Sequence, residues 1–238
     1  MARTLVTVCC YNTRDATRRF LDRFPEERDY DVLLINDGST DGTRDILSKE
    51  GFKVIEHEQN RGLGAAIKTG IGYALENKYD IIVIMAGNDK DDPNEIPKLT
   101  KAIFEDGYDY VQGSRFFKGG RWDNLPLSRY VMIRLYSILL SVIFRTKITD
   151  PANGFRAYRA SIFDDERIDI WQDWLNHYEF ETYLTIYVLK IGYKYGEVPV
   201  SKIYPKRKRK VKYSHIRPFV DWWSILRPLL LVGFRIKK

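Results

Sequence analysis

Cysteine is scarce in this chain. Its 238 residues hold two, Cys9 and Cys10, side by side in one predicted strand. Successive strand side chains point to opposite faces, so the pair is badly placed to bridge. No disulfide framework follows, and a reducing compartment is the expectation. Long apolar runs are also lacking. The longest, 135–144 and 229–234, fall short of the about 20 residues that cross a bilayer. The first residues, MARTLVTVCCYN, read as a strand and lack the basic-then-apolar layout of a signal peptide. Internal repeats and low-complexity linkers are missing too. These absences point to a globular protein that is soluble or peripheral to a membrane.

The composition is globular, with 44% hydrophobic and 30% charged residues. The net charge of +7 implies an anionic partner: nucleic acid, a membrane surface or a phosphorylated substrate. Five short β-rich runs, LVTVCC, DVLLIN, KVIEH, IIVIM and YVQGS, alternate with helical patterns at 16–23, 43–48, 64–76 and 95–105. That alternation predicts an α/β fold, a mostly parallel sheet flanked by helices. Ligands of such sheets bind at the carboxyl ends of the strands. The stretches there are YNTRDA, NDGSTDGT, QNRGLGAA, AGNDKDDP and GSRF. Beyond residue 124 the chain predicts a long amphipathic helix, a polar loop TDPANGFR entering a strand, and a helix and strand over NHYEFETYLTIYVLKIGYKYGEVPV. The predicted division is a main domain over 1–202 and a basic, amphipathic extension over 203–238.

Each strand-end stretch has a structural and a chemical reading. In NDGSTDGT, Asp37 can accept from a base or a ribose hydroxyl, while Ser39, Thr40 and Asp41 are good helix caps. In NRGLGAA, Gly62 and Gly64 can let backbone amides approach a phosphate at a helix N-terminus, or simply make a turn. The oxygen ligands Asn88, Asp89, Asp91 and Asp92 suit magnesium or manganese. Asp92 before Pro93 is equally a good cap. Arg115 can clamp a phosphate, and Asp150, Asn153 and Arg156 share a loop. Glu179 and Glu181 point roughly 200° apart on a helix, so at most one faces a site.

The run KIYPKRKRKVKYSHIR is strongly basic and suits nucleic acid, a localisation signal or anionic lipid. After it, Arg217, Asp221, Ser224, Pro228 and Arg235 recur at intervals of 4, 3, 4 and 7, one polar stripe on an apolar helix with Trp222 and Trp223. That pattern suits an anionic membrane interface, or packing on a core or in an oligomer.

In this order the motifs YN, NDGSTDGT, NRGLGAA, DDPNEIPKL, GSRF, TDPANGFRAYR, YEFE and GYKYGEVPV resemble the family-2 inverting glycosyltransferases of the GT-A (Rossmann-like) fold. Among them the chain is similar to the dolichyl- or polyprenyl-phosphate sugar synthases, over residues 3–201. The resemblance implies a nucleotide-sugar donor, UDP- or GDP-linked, contacted by Tyr11, Asn12, Asp37, Gly38, Asn60, Gly64, Lys68 and Asn88. It implies a polyprenyl phosphate or other lipid acceptor near Arg134, Asn153, Arg156, Lys206 and Arg207. Asp92, Asp91, Lys90, Arg115 and Asp150 would carry the chemistry.

Two departures matter. The position after YN is Thr13, where the family has glutamate. The family's Asp-x-Asp metal motif falls on Ala86-Gly87-Asn88, with Lys90 two residues on. Two readings follow: Asn88 with Asp89, Asp91 or Asp92 holds Mg2+ or Mn2+, or Lys90 supplies the charge such an ion would bring. A phosphate acceptor is already an anion and can attack without a strong base, leaving the protein to position the reactants and stabilise the diphosphate. A hydroxyl acceptor on a glycan, protein or lipid needs a base, and Asp150, Glu179 and Glu181 are the candidates. A non-catalytic nucleotide-sugar scaffold is the remaining rival. A nucleic-acid module would leave the upstream motifs unexplained, so no nucleic-acid partner is expected. The expected location is cytoplasmic, peripheral on the cytoplasmic face of a membrane. A membrane-anchoring partner protein or a homo-oligomer is left open.

Overall fold

The computed structural model describes residues 2–48, 51–204 and 220–233. Seven strands form one sheet: β1 (Thr4–Cys10), β2 (Asp31–Asn36), β3 (Lys53–Glu56), β4 (Ile81–Ala86), β5 (Tyr110–Ser114), β7 (Arg156–Arg159) and β8 (Tyr195–Pro199). Their order is β3-β2-β1-β4-β7-β5-β8. Only β7 runs against its neighbours β4 and β5. A separate parallel pair joins β6 (Arg121–Asp123) to β9 (Ser201–Ile203). The helices are α1 (Arg14–Leu21), α2 (Thr43–Leu47), α3 (Leu63–Glu76), α4 (Ile96–Phe104), α5 (Leu127–Phe144), α6 (Glu179–Ile191) and α7 (Val220–Gly233). The mostly parallel sheet flanked by helices is thus the fold that forms.

The central strands are apolar along their whole length because both faces are covered. All seven residues of β1 are buried. Leu5, Leu33, Ile35, Ile82 and Ile84 face α3 and α6 on one side. Val6, Val8, Leu34, Val83 and Met85 face α1 and α4 on the other. Cys9 joins the first cluster and Cys10 the second, and both are free thiols. The loops continue the sheet register past the strands. Asp37 N–H donates to Cys10 O, His57 N–H to Asn36 O and Gly87 N–H to Cys9 O, at 2.9 Å each. The ends of β1, β2, β3 and β4 therefore open onto one cleft edge.

α5 is longer than the apolar runs suggested. Its 18 residues have a mean hydropathy of 1.5, enough by length and composition to cross a membrane. One face nevertheless packs on the body through Ile133, Tyr136, Ser137 and Leu140. The other exposes Leu127, Val131, Leu135, Ile138, Leu139, Val142 and Ile143. α7 lies against α6: Arg227 pairs with Glu179 at 2.7 Å, and Ile225, Leu226 and Leu229 pack beside Tyr136 and Leu140. Pro228, assigned to the polar stripe by its spacing, is buried in this contact, while Trp223 and Leu230 are exposed. Of the other stripe positions, Ser224 is half-buried, and Arg217, Asp221 and Arg235 lie outside the described side chains.

Candidate active site

Asp37 organises the donor-side loops. One carboxylate oxygen accepts from the His57 ring at 2.7 Å and from Arg61 N–H at 2.9 Å. The other accepts from Asn60 Nδ2 at 2.8 Å and Gly62 N–H at 2.9 Å. Asp37 is 3% exposed, and its carboxylate shapes the loop after β3. Asn12, in a left-handed conformation, ties the loop after β1 to that after β2: its Oδ1 accepts from Thr40 N–H and its N–H donates to Ser39 Oγ. Tyr11 is half-buried beside it. Gly38 has φ of +67°, and a Cβ there would meet the Gln59 carbonyl carbon at 2.3 Å.

The glycines of NRGLGAA allow close packing. A Cβ on Gly64 would lie 2.0 Å from Leu175 O, and Ala65 N–H donates to Asn176 O. The start of α3 is thus pressed on residues 175–177. Lys68 is buried and donates to Gln172 O at 3.1 Å; burial lowers its amine below the ordinary value. It lines a cavity of about 400 Å³ with Arg61, Tyr73, Trp171 and Asp173.

The carboxylates after β4 are each committed. Asp89 pairs with Arg19 of α1 at 2.8 Å and with Arg23, just past that helix, at 3.0 Å. Both Asp91 oxygens accept from Lys202 Nζ, at 2.6 and 2.8 Å, with Asp91 fully buried. Asp92 caps the turn at Pro93, accepting from Asn94 N–H at 3.0 Å. Asn88 Oδ1 is the exception, a buried oxygen with no hydrogen-bond partner. The expected metal set of Asn88, Asp89, Asp91 and Asp92 is therefore corrected. Two carboxylates are ion-paired to protein cations, the third is a cap, and one amide oxygen is left. Among the described residues, no three His, Cys, Asp or Glu side chains gather as a metal site would require. The donor set does not fit a divalent ion.

The expected clamp and base are likewise spent on each other. Arg115 Nε and Nη2 each donate to Asp150 at 2.6 Å, and Arg115 N–H joins at 2.9 Å. Both residues are 1% exposed or less. Burial alone would lower the guanidinium's proton affinity, but the Asp150 charge and hydrogen bonds outweigh it and raise it. Glu197, which the sequence reading passed over, fixes the turn before Asp150 by accepting from Thr149 N–H at 2.8 Å and Thr149 Oγ1 at 2.6 Å. Asn153 donates to Gly113 O and accepts from Lys202 Nζ at 2.9 Å. Arg156 donates to Asn153 O, Pro151 O and Tyr110 OH, and pairs with Glu181 at 3.4 Å. Asn153 and Arg156, expected near the acceptor, are buried and engaged with other residues of the protein. Glu179 is buried and held by Arg227, while Glu181 is half-buried and lies 3.4 Å from Arg156.

Tyr204 sits at the centre of the remaining positive charge. Arg115 Nη1 donates to its hydroxyl at 2.6 Å. Lys90 Nζ lies 5.5 Å and the Arg129 guanidinium 5.9 Å from its ring centre. Burial, and then the Lys202 and Arg129 charges, push the Lys90 amine down to about 7, with Asp91 opposing. The loop is stapled here: Ile203 N–H donates to Lys90 O at 3.0 Å. Lys202 was read from the sequence only as a member of the basic run, and Tyr204 carried no signal there. Arg134 stands over Phe116 at 5.6 Å, next to the aromatic group of Phe116, Trp122 and Tyr130. Lys206 and Arg207 lie outside the described residues.

Comparison with known proteins matches the chain to the family described as Glycosyl transferase family 2, over residues 5–167. An uncharacterized protein of Methanocaldococcus jannaschii is 31% identical over 202 residues, covering 84% of this chain and 81% of that one. The undecaprenyl-phosphate mannosyltransferase of Micrococcus luteus is 30% identical over 188 residues, covering 77% and 74%. Among solved structures, glucosyl-3-phosphoglycerate synthase from Mycobacterium tuberculosis, in complex with Mn2+, uridine diphosphate and phosphoglyceric acid, superposes with a TM-score of 0.67. That likeness is at 15% identity and covers 98% of this chain and 78% of that one, so it concerns the fold.

Proposed function

The chain belongs to glycosyl transferase family 2, and from that premise we propose that it moves a hexose from a nucleotide sugar to a polyprenyl phosphate. The acceptor's phosphate oxygen attacks the anomeric carbon in line. The bond from that carbon to the diphosphate oxygen breaks, the nucleoside diphosphate leaves with the electron pair, and the anomeric configuration inverts. No proton has to be removed from the nucleophile.

The observation that carries this reading is the state of the three candidate bases. A hydroxyl acceptor needs a carboxylate to take its proton, and Asp150 is held by Arg115 on both oxygens, Glu179 pairs with Arg227 at 2.7 Å, and Glu181 lies 3.4 Å from Arg156. A phosphate acceptor needs none of them. The surroundings support the same choice. α5 carries an outward apolar stripe of Leu127, Val131, Leu135, Ile138 and Val142. The same helix turns Arg129 toward Tyr204 and Arg134 toward Phe116. Apolar surface beside inward cations suits a lipid tail and its phosphate, and a peripheral position on an anionic membrane. The name of the Micrococcus luteus relative adds weight to that acceptor.

The test is transfer from a panel of UDP- and GDP-sugars to a short-chain polyprenyl phosphate, with a glycan acceptor alongside. The expected product is a lipid-linked sugar phosphate. Transfer to the glycan alone would overturn the reading. Nucleotide-sugar binding with no transfer to either would leave a non-catalytic scaffold.

A further inference from the structure

We propose that the cavity along α3 is a carbohydrate-binding site, distinct from the strand-end cleft, which takes a neutral hexose unit against Trp171. The proposal goes beyond the transferase reading and does not rest on it. A cavity of about 400 Å³ lies between α3 and the segment 171–176, within the range of small-molecule sites. Its walls come from β3, the loop after it, α3 and that segment. None of the described residues that line it belongs to the loops after β1, β2 or β4. On α3 the lining residues Ala65, Lys68, Thr69, Gly72, Tyr73 and Glu76 recur with the helical period, so one face of the helix is turned to the cavity.

Three features choose the ligand. The first is an aromatic platform. Gly72 has no side chain, and a Cβ there would come within 3.3 Å of the Trp171 ring. The edge of the indole therefore lies over the helix, while the residue stays 56% exposed. An accessible indole gives the C–H face of a sugar ring a flat apolar surface to stack on. The second feature is charge. Arg61 and Lys68 in the lining stand against Glu76 and Asp173. Two charges of each sign favour neither a diphosphate nor a metal cation, because each would meet a pair of like charges. A neutral ligand meets no such cost. The third feature is hydrogen-bonding capacity. Lys68 is 7% exposed, and its ammonium, with three donors, has one acceptor in the protein, Gln172 O at 3.1 Å. Asp173 adds a carboxylate and Asn176 an amide that both donates and accepts. Sugar hydroxyls donate and accept at once, so they suit a lining that mixes these groups. An apolar ligand would leave the Lys68 donors without acceptors.

Saturation-transfer NMR and calorimetry on the full chain test this, with methyl α-mannoside, methyl β-glucoside, mannotriose and cellotriose as probes. The glycosides and the trisaccharides separate a single ring from a chain end, and binding of either kind supports the site. The expected result is that at least one probe binds, and binds equally in the presence of UDP or GDP. Trp171→Ala should weaken it about tenfold, as loss of an aromatic anchor does, and Trp171→Phe should restore much of the affinity. Asp173→Ala, on the same wall, should weaken it as well. Neither change should move the unfolding midpoint, since both residues are exposed. Displacement of the sugar by UDP or GDP overturns the proposal, because the sugar would then lie in the strand-end cleft. Binding that both alanine variants leave unchanged overturns it too, and so does a failure of all four probes to bind. None of these outcomes touches the transferase reading, whose own test is transfer.

Discussion

Two buried aspartates at the strand ends solve the same problem differently. Asp37, after β2, is held by a histidine ring, a side-chain amide and two backbone N–H groups. Asp150, across the sheet, is held by a guanidinium on both oxygens. Asp91 repeats the second pattern with Lys202. On the donor side a carboxylate gathers loops and folds a cradle. On the far side carboxylates fix cations in a wall, and further cations accumulate over Tyr204. The difference teaches that an acidic residue at a strand end of this sheet need not meet ligand or metal. Its work can be to fix what does.

The comparison breaks most visibly if the far-side pair is cut. Asp150→Ala leaves the Arg115 charge buried without its partner and is expected to cost about 3–5 kcal/mol in urea unfolding. A cost near zero would mean that the pair is solvated, against its geometry. On the donor side, Asp37→Asn keeps the shape but weakens charge-assisted hydrogen bonds, with an expected loss of about 1.5–3 kcal/mol. Faster hydrogen exchange at the Arg61 and Gly62 amides should accompany it. Gly64→Ala, forced against Leu175 O, should cost about 1–3 kcal/mol by overpacking, and would show that the glycine serves the 175–177 contact. Leu135→Glu and Ile138→Glu on the exposed face of α5 should change stability by less than about 0.5 kcal/mol. The same changes should sharply reduce sedimentation with anionic vesicles. The smallest effect concerns the thiols. Burial pushes Cys10 up to about 12 and raises Cys9 as well. Thiol reagents at pH 8 should therefore label the native chain slowly and the unfolded chain at once.

What could be read from the sequence follows the range of the interaction. Strand and helix positions were legible because the buried strands are apolar throughout and the helices keep their periods. The cap at Asp92 was legible because it needs only its neighbours, Pro93 and Asn94. The pairs that decide the site were not. Asp91 meets Lys202 across 111 residues and Arg115 meets Asp150 across 35, and topology alone brings them together. The four-oxygen loop 88–92 therefore resembled a metal site, and Arg115 a phosphate clamp, until their partners were in view. The spacing of the last helix left a membrane face and core packing both open, and Leu229 packs beside Tyr136 and Leu140 of α5 while Trp223 and Leu230 are exposed.

In the proposed reaction the nucleophile is a phosphate. The most direct measurement offers the enzyme equal amounts of one polyprenyl phosphate and the matching polyprenol, with a nucleotide sugar it accepts. The expected result is sugar on the phosphate alone, with the polyprenol recovered unchanged. Sugar on the polyprenol would mean that one of Asp150, Glu179 or Glu181 leaves its cation to act as a base, and would contradict the account.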